Sequence, residues 1–340
     1  MDSQESLTAF AQESLGIPPS MHTKLLPFSG RGSDRAYFRF RYNHNQSAIL
    51  VHYSPSRIEN TYFADIAFFL REISVPAPAV IRHDPANCLI LMEDLGDTDL
   101  WSLRNEPWEK RSIRYHKTLE IAHGLHTYPG PRFPSDRVKL MDPFGPELYR
   151  WERDYFRENF VQKLCGIALD PHASEQLENE LSGLAMRMEA SGSCLVHRDL
   201  QSQNVMICSE KPYLIDFQGM RFGSYFYDLA SLLCDPYVNF SPSERKELLH
   251  FYYNLSSKSA DWGTFQNAFW EASAQRLMQA LGCYGFLGLT RGLKDYLKHV
   301  PTGMRNLRIS AQNAASLPLL LDLCSSCERS LAGRRLDVNS

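Results

Sequence analysis

A chain of 340 residues, 44% hydrophobic and 22% charged, can bury a large core, either as one bilobal enzyme or as two domains. Its net charge of −3 lends no support to a nucleic-acid or membrane-surface partner, and no apolar run approaches the about 18 residues that span a bilayer. The polar first 20 residues, with Glu5 and Glu13 and no basic start, do not read as a secretory signal, so a cytoplasmic location is expected.

In chain order, Leu7, Phe10, Ala11 and Leu15 recur at helical spacing until Gly16, Pro18 and Pro19 end the segment. A β-rich stretch follows: a run at 24–28, a Gly-rich turn at 29–34, a run at 36–42, and a third at 48–51 after Asn43-His44-Asn45. A strand, a Gly-rich turn and a strand can fold over nucleotide phosphates, because glycine permits close backbone approach and bares amide N–H groups. Gly30, Gly32 and Ser33 are the candidates, and a flexible hairpin turn explains the two glycines equally well. Residues 57–73 read as a helix with Ile58, Tyr62, Ile66, Phe69 and Leu70 on one side. Strands at 80–81 and 88–92 then flank the turn Asp84-Pro85-Ala86-Asn87, and Glu93-Asp94-Leu95-Gly96 marks an abrupt switch from apolar to acidic.

From there the composition turns helical. Residues 108–126 form a long amphipathic pattern with Ile113, Leu119, Ile121, Ala122 and Leu125, broken at Pro129-Gly130-Pro131. His116, His123 and His126 sit at mixed spacing on a face needed for packing, which favours core histidines over a metal cluster. Residues 143–166 mix aromatics and acids, including Tyr149, Trp151, Glu152, Tyr155 and Phe156; they suit stacking on a sugar face or a helix pair packing onto the core. A helix over 173–190 precedes the most informative stretch. The eight cysteines are scattered, mostly in apolar contexts, as free thiols of a reducing compartment. Cys324 and Cys327 have metal or redox spacing, but no second pair accompanies them, so they read as two thiols on a late helix.

That stretch is Cys194-Leu195-Val196, then His197-Arg198-Asp199, then Asn204 ahead of Val205-Met206-Ile207, with Tyr213-Leu214-Ile215 leading into Asp216-Phe217. Apolar β-type runs bracket polar loops that carry three potential proton or metal ligands. The pattern suits phosphoryl transfer, whose loose, anionic transition state asks for a positioned hydroxyl and a hard cation on the phosphates. Asp199 fits the first need. Asn204 offers a neutral oxygen and Asp216 a charged one to Mg²⁺. His-x-Asp alone would equally suit an ordinary hairpin; it is the three together that match the template.

His197-Arg198-Asp199 with Asn204, Asp216-Phe217-Gln218 and Tyr227-Asp228-Leu229-Ala230 resembles the aminoglycoside phosphotransferase and choline kinase-like superfamily of small-molecule kinases. Within it, Ser33-Asp34-Arg35-Ala36-Tyr37-Phe38-Arg39 and Glu93-Asp94-Leu95-Gly96-Asp97 are similar to the anomeric kinases of N-acetylmuramate and N-acetylglucosamine in cell-wall recycling. The likeness runs from about residue 25 to about residue 310.

The resemblance implies a protein-kinase-like bilobal α+β fold. Residues 1–94 would be the nucleotide-binding small lobe, 95–335 the catalytic and acceptor-binding lobe, and 336–340 a frayed end. It implies ATP and Mg²⁺ as cofactors, Glu93 and Leu95 as a hinge for adenine, His197 and Asp228 as structural braces of the catalytic loop, and the 143–166 insert as part of the acceptor pocket. Glu152 and Arg276 become the acceptor-side candidates. One departure is the absence of the usual lysine from residues 48–53; Arg39, then Arg35, are the candidate replacements, because a guanidinium grips phosphate bidentately. The expected function is phosphorylation of a small metabolite's hydroxyl, an amino sugar at its anomeric oxygen, with no nucleic-acid or membrane partner. A choline- or aminoglycoside-type kinase and a nucleotide-binding pseudoenzyme are the alternatives.

Overall fold

The computed structural model describes residues 4–28, 35–43, 46–256 and 260–332. In chain order they form α1 (Gln4–Ser14), β1 (Lys24–Phe28), β2 (Ala36–Asn43), β3 (Gln46–His52), α2 (Ile58–Glu72), β4 (Val80–Asp84) and β5 (Leu89–Glu93). Next come α3 (Trp108–His126), α4 (Pro146–Phe156), α5 (Pro171–Ala190), β6 (Cys194–Val196), β7 (Val205–Cys208), β8 (Lys211–Leu214) and β9 (Arg221–Gly223). The chain finishes with α6 (Tyr225–Leu233), α7 (Pro242–Leu255), α8 (Trp262–Gly285), α9 (Val300–Asn313) and α10 (Pro318–Ala332). None of the described helices is long and apolar enough to cross a membrane.

The chain divides into two compact units. The first comprises residues Met1–Asp99, Pro131–Met141 and Asn204–Met220. Its sheet is antiparallel in the order β1-β2-β3-β5-β4. β3 runs through the middle, so its apolar run Ala48-Ile49-Leu50-Val51 is buried on both faces. Ala48 and Leu50 share a face with Leu25, Phe40, Leu89 and Leu91, and α1 covers it with Leu7, Phe10 and Ala11. Strand alternation therefore turns Arg39, opposite Ile49 in the register, to the other face.

The hairpin β7–β8 belongs to this unit too. The Ile207 N–H donates to the Thr98 carbonyl at 2.8 Å and the Leu214 N–H to the Pro76 carbonyl at 2.9 Å. Phe63 of α2 stacks on the buried Phe217 with ring centroids 4.7 Å apart.

The second unit, Leu100–Gly130, Asp142–Gln203 and Arg221–Ser340, is mostly helical. The short ladder β6–β9 sets Val196 opposite Arg221. α8 is the central helix: from Ala272 to Gly282 every residue is buried. It lies so close to the π-helical turn Arg157–Leu164 that a Cβ on Gly285 would sit 2.3 Å from the Asn159 carbonyl oxygen. Two expected core positions are exposed instead, Ile58 at 52% and Ile113 at 55%. Ile58 occupies the first turn of α2, whose inward stripe is Phe63, Ile66 and Leu70. Ile113 points away from the α3 stripe of Tyr115, Leu119 and Ala122. Cys324 and Cys327 are buried free thiols on α10, and none of the eight cysteines is in a disulfide.

Candidate active-site clusters

In the helical unit, β6 delivers His197, Arg198 and Asp199 to a loop held from behind. Asp228, fully buried on α6, accepts the His197 N–H at 2.6 Å and the Arg198 N–H at 2.8 Å. It also pairs with His126 Nε2 of α3 at 3.0 Å, while His126 Nδ1 lies 2.7 Å from the Tyr252 hydroxyl. With a carboxylate acceptor at Nε2, that nitrogen carries a proton. Further along, Ser202 donates from its N–H and hydroxyl to Asp235 at 2.8 and 2.5 Å. Arg198 holds a left-handed backbone, φ 77°, which a non-glycine residue adopts at a cost repaid by such anchoring.

The Asp199 carboxylate is gripped from two sides. Arg198 Nη1 contacts Oδ2, and Arg276 Nη2, arriving from α8, meets Oδ1 at 3.3 Å. Burial pushes the Asp199 carboxyl up, but the Arg198 and Arg276 guanidiniums more than reverse it, leaving the group below its ordinary value. Asp199 is therefore ionised at any physiological pH. Glu152 behaves in the opposite way. It is 1% exposed, accepts Tyr227 Oη at 2.7 Å and Gln275 Nε2 at 2.9 Å, and burial pushes its carboxyl up. Gln275 and Arg276, adjacent on α8, thus serve two different carboxylates.

In the sheet-rich unit, Asn204 and Asp216 stand at the open end of one hairpin. Val205 pairs with Leu214, and just beyond them the Ile215 N–H donates to the Asn204 carbonyl at 3.0 Å. Asp216 is itself left-handed, φ 62°, with Phe217 packed behind it and Gln218 Nε2 on its Oδ1 at 3.0 Å. Arg35 Nη2 also reaches Oδ1, at 2.5 Å. A carboxylate and an amide oxygen suit a hard cation, and two protein ligands leave positions for phosphate and water oxygens. Among the described residues, no group of three or more His, Cys, Asp or Glu could hold a metal on protein ligands alone.

Gly30, Gly32 and Ser33 lie outside the described residues. Arg39 closes onto the acidic segment that follows β5: Nε is 2.7 Å from Asp94, Nη2 is 2.7 Å from Asp97, and Ser47 donates to Asp94 at 2.6 Å. The hydrogen bond to Asp97, opposed by burial and reinforced by Asp94, raises the Arg39 pKa. Glu93 is exchanged with β4's approach, its N–H donating to the Ala79 carbonyl and its carboxylate accepting the Ala79 N–H at 3.1 Å, while Leu95 is buried. Sequence reasoning missed Arg198, His126, Ser231 and Asp235. The sequence pattern places His126 among core histidines without naming a partner for it, and it gives Asp235 no role.

Three comparisons bear on this geometry. Residues 24–266 match the profile of the phosphotransferase enzyme family. An N-acetylmuramate/N-acetylglucosamine kinase of Pseudomonas aeruginosa is 23% identical over 93% of this chain and 92% of its own, and one of Neisseria meningitidis serogroup B is 23% identical over 86% and 88%. A choline/ethanolamine kinase family protein from Mesorhizobium loti superimposes with a TM-score of 0.61 at 15% identity, covering 95% of this chain and 99% of the other, which establishes a protein-kinase-like fold. With an ionised aspartate held by two arginines, a paired Asn and Asp on one hairpin, that fold, and a family profile spanning well over half its length, the chain belongs to the phosphotransferase enzyme family.

Proposed function

We propose that this ATP-dependent small-molecule kinase phosphorylates an amino sugar, N-acetylmuramate or N-acetylglucosamine, at its anomeric oxygen. The observation that carries the reading is the charge beside Asp199. An amine-bearing acceptor such as choline or an aminoglycoside needs free carboxylates. In the described cluster Arg198 and Arg276 flank Asp199, and the second acid, Glu152, is buried, spent on Tyr227 and Gln275, and shifted toward its neutral form. The names of the curated relatives point the same way.

In the proposed reaction Asp199 accepts a hydrogen bond from the acceptor hydroxyl and orients its oxygen toward the γ-phosphoryl group. The O–P bond forms as the bond to ADP breaks, and the hydroxyl proton passes to Asp199. Asn204 and Asp216 would hold Mg²⁺, which when bound neutralises charge on the phosphate oxygens. The sheet-rich unit would bind nucleotide, and the helical unit would bind acceptor.

The missing strand lysine is best replaced by Arg35. Arg39 is committed to two hinge carboxylates, whereas Arg35 already lies on the proposed metal ligand. Arg35→Ala should raise KM for ATP about tenfold or more, the worth of a charge-assisted hydrogen bond, and Arg39→Ala by less. The reverse order would return the role to Arg39.

For the acceptor, purified protein with ATP and Mg²⁺ should convert N-acetylglucosamine or N-acetylmuramate to the 1-phosphate, and the methyl glycoside should not react because its nucleophile is blocked. Phosphorus NMR identifies the product. A 6-phosphate, or turnover of choline or an aminoglycoside without any amino sugar, refutes this acceptor and leaves the kinase assignment intact.

A further inference from the structure

We propose that Arg276 is a positioning residue for Asp199, fixing the carboxylate's orientation and ionisation, rather than a contact for the acceptor. The proposal rests on the kinase reading above and on how completely this guanidinium is used. Nε donates to Ser231 Oγ at 2.8 Å, Nη1 contacts Gln279 Oε1, and Nη2 meets Asp199 Oδ1. Each of its three nitrogens has a partner inside the protein. The side chain is 4% exposed, and the guanidinium carbon lies 5.8 Å from the Tyr227 ring centroid, so it is packed as well as bonded. A residue so occupied has little left to offer a substrate.

What it does offer is a link between elements. Ser231, on α6, also donates to the Arg198 carbonyl at 3.5 Å, one residue before Asp199. α6 thus holds the loop backbone through Asp228 and Ser231, and α8 holds the reactive carboxylate through Arg276. Losing one anchor should let the carboxylate rotate about its last bond while the backbone stays in place. Since Oδ2 keeps Arg198, the deficit should appear in turnover and in the acidity of Asp199, not in binding of either substrate.

The charged and titratable groups around Asp199 are Arg198 and His197 on its own loop, Arg276 and Cys283 on α8, and Arg221 on β9, with Glu152 and Tyr227 acting on the arginines. Replacing Arg276 by Gln removes one of the two guanidiniums in contact with the carboxylate, so the Asp199 pKa rises toward its ordinary value. Replacing it by Lys keeps the charge but not the fork.

The test has two arms. Carbon NMR of carboxyl-labelled aspartate in the substrate-free protein reads the Asp199 titration. It should move up in Arg276→Gln, much less in Arg276→Lys, and be absent in Asp199→Asn. Steady-state kinetics should show kcat down about tenfold or more in Arg276→Gln with both KM values within about twofold, the signature of a lost transition-state interaction. Ser231→Ala, which leaves all charges in place, should lower kcat in the same sense by less and keeps the question open to experiment should the buried Arg276 variants fold poorly. An unchanged Asp199 titration in Arg276→Gln, or an acceptor KM that rises tenfold at constant kcat, overturns the proposal. Because the titration needs no substrate, it stands apart from the acceptor's identity. Failure of the kinase reading would show instead as full turnover in Asp199→Asn.

Discussion

Asp199→Asn is expected to lower kcat at least about 100-fold, the usual consequence of removing a general base, with ATP affinity little changed. The substitution is nearly isosteric, yet it reverses the electrostatics. The amide must turn either its NH₂ group or its oxygen toward Arg198 and Arg276, so one guanidinium faces a donor where it had an acceptor. The hydroxyl then loses both its proton acceptor and a fixed direction of approach.

The same change should cost stability at neutral pH. Because the folded-state pKa of Asp199 is depressed, its ionisation stabilises the native protein above the ordinary carboxyl value of 3.8, and that contribution is lost only as pH falls through the lower folded value. Wild type and variant should therefore differ in thermal midpoint at pH 7 and converge only in strong acid. Asp199 and Arg198 are 22% and 25% exposed, so solvent screens part of the effect. Turnover near the wild-type rate would sink the mechanism; a midpoint gap that grows on acidification would contradict the clamp.

The loops that carry the candidate site residues stand out in the sequence because their spacing is local. Asn204 follows Asp199 by five positions, and the Asn204 to Asp216 span is a single short hairpin, so local spacing constrains the candidate ligands. The bracing role of Asp228 comes from the family resemblance, not from spacing, and in the structure its buried carboxylate accepts the His197 and Arg198 N–H groups. The clamp on Asp199 was not legible. Arg276 lies 77 residues away on a helix whose central stretch, Glu271 to Gly282, is buried all round, and nothing in a periodic apolar pattern says which polar residue on it turns toward a loop. Glu152 was misleading for the opposite reason. Set in a run of aromatics and acids, it reads as a hydroxyl acceptor, whereas 1% exposure and two internal donors make it part of the scaffold. Ile58 and Ile113 show the limit of hydrophobic spacing, because an isoleucine in a helix's first turn or on the side opposite the buried stripe can face water.

Asp216→Ala should abolish the dependence of ATP binding on Mg²⁺. The proposed charged ligand is removed and only the Asn204 oxygen remains on the hairpin, too little to hold a cation that dehydrates reluctantly. Arg35 makes the outcome sharper than simple loss. In the protein as folded its guanidinium is neutralised by Asp216 at 2.5 Å, with side-chain exposures of 10% and 36%. Without that partner a largely buried cation faces the site, and a triphosphate is the natural counter-ion, so affinity for metal-free ATP should hold or rise while affinity for Mg²⁺-ATP falls to meet it. The stability cost should be about 1 kcal/mol or less, given the exposure of Asp216. Asn204→Ala, which removes only the neutral oxygen, should raise the Mg²⁺ needed for half-maximal activity without erasing the dependence. Calorimetric titration of wild type and both variants with ATP, with and without Mg²⁺, decides the matter. Equal ATP affinity in the two conditions for the wild-type protein would show that Asn204 and Asp216 are not metal ligands, and would leave Arg35 and Asp216 as an ion pair serving the fold alone.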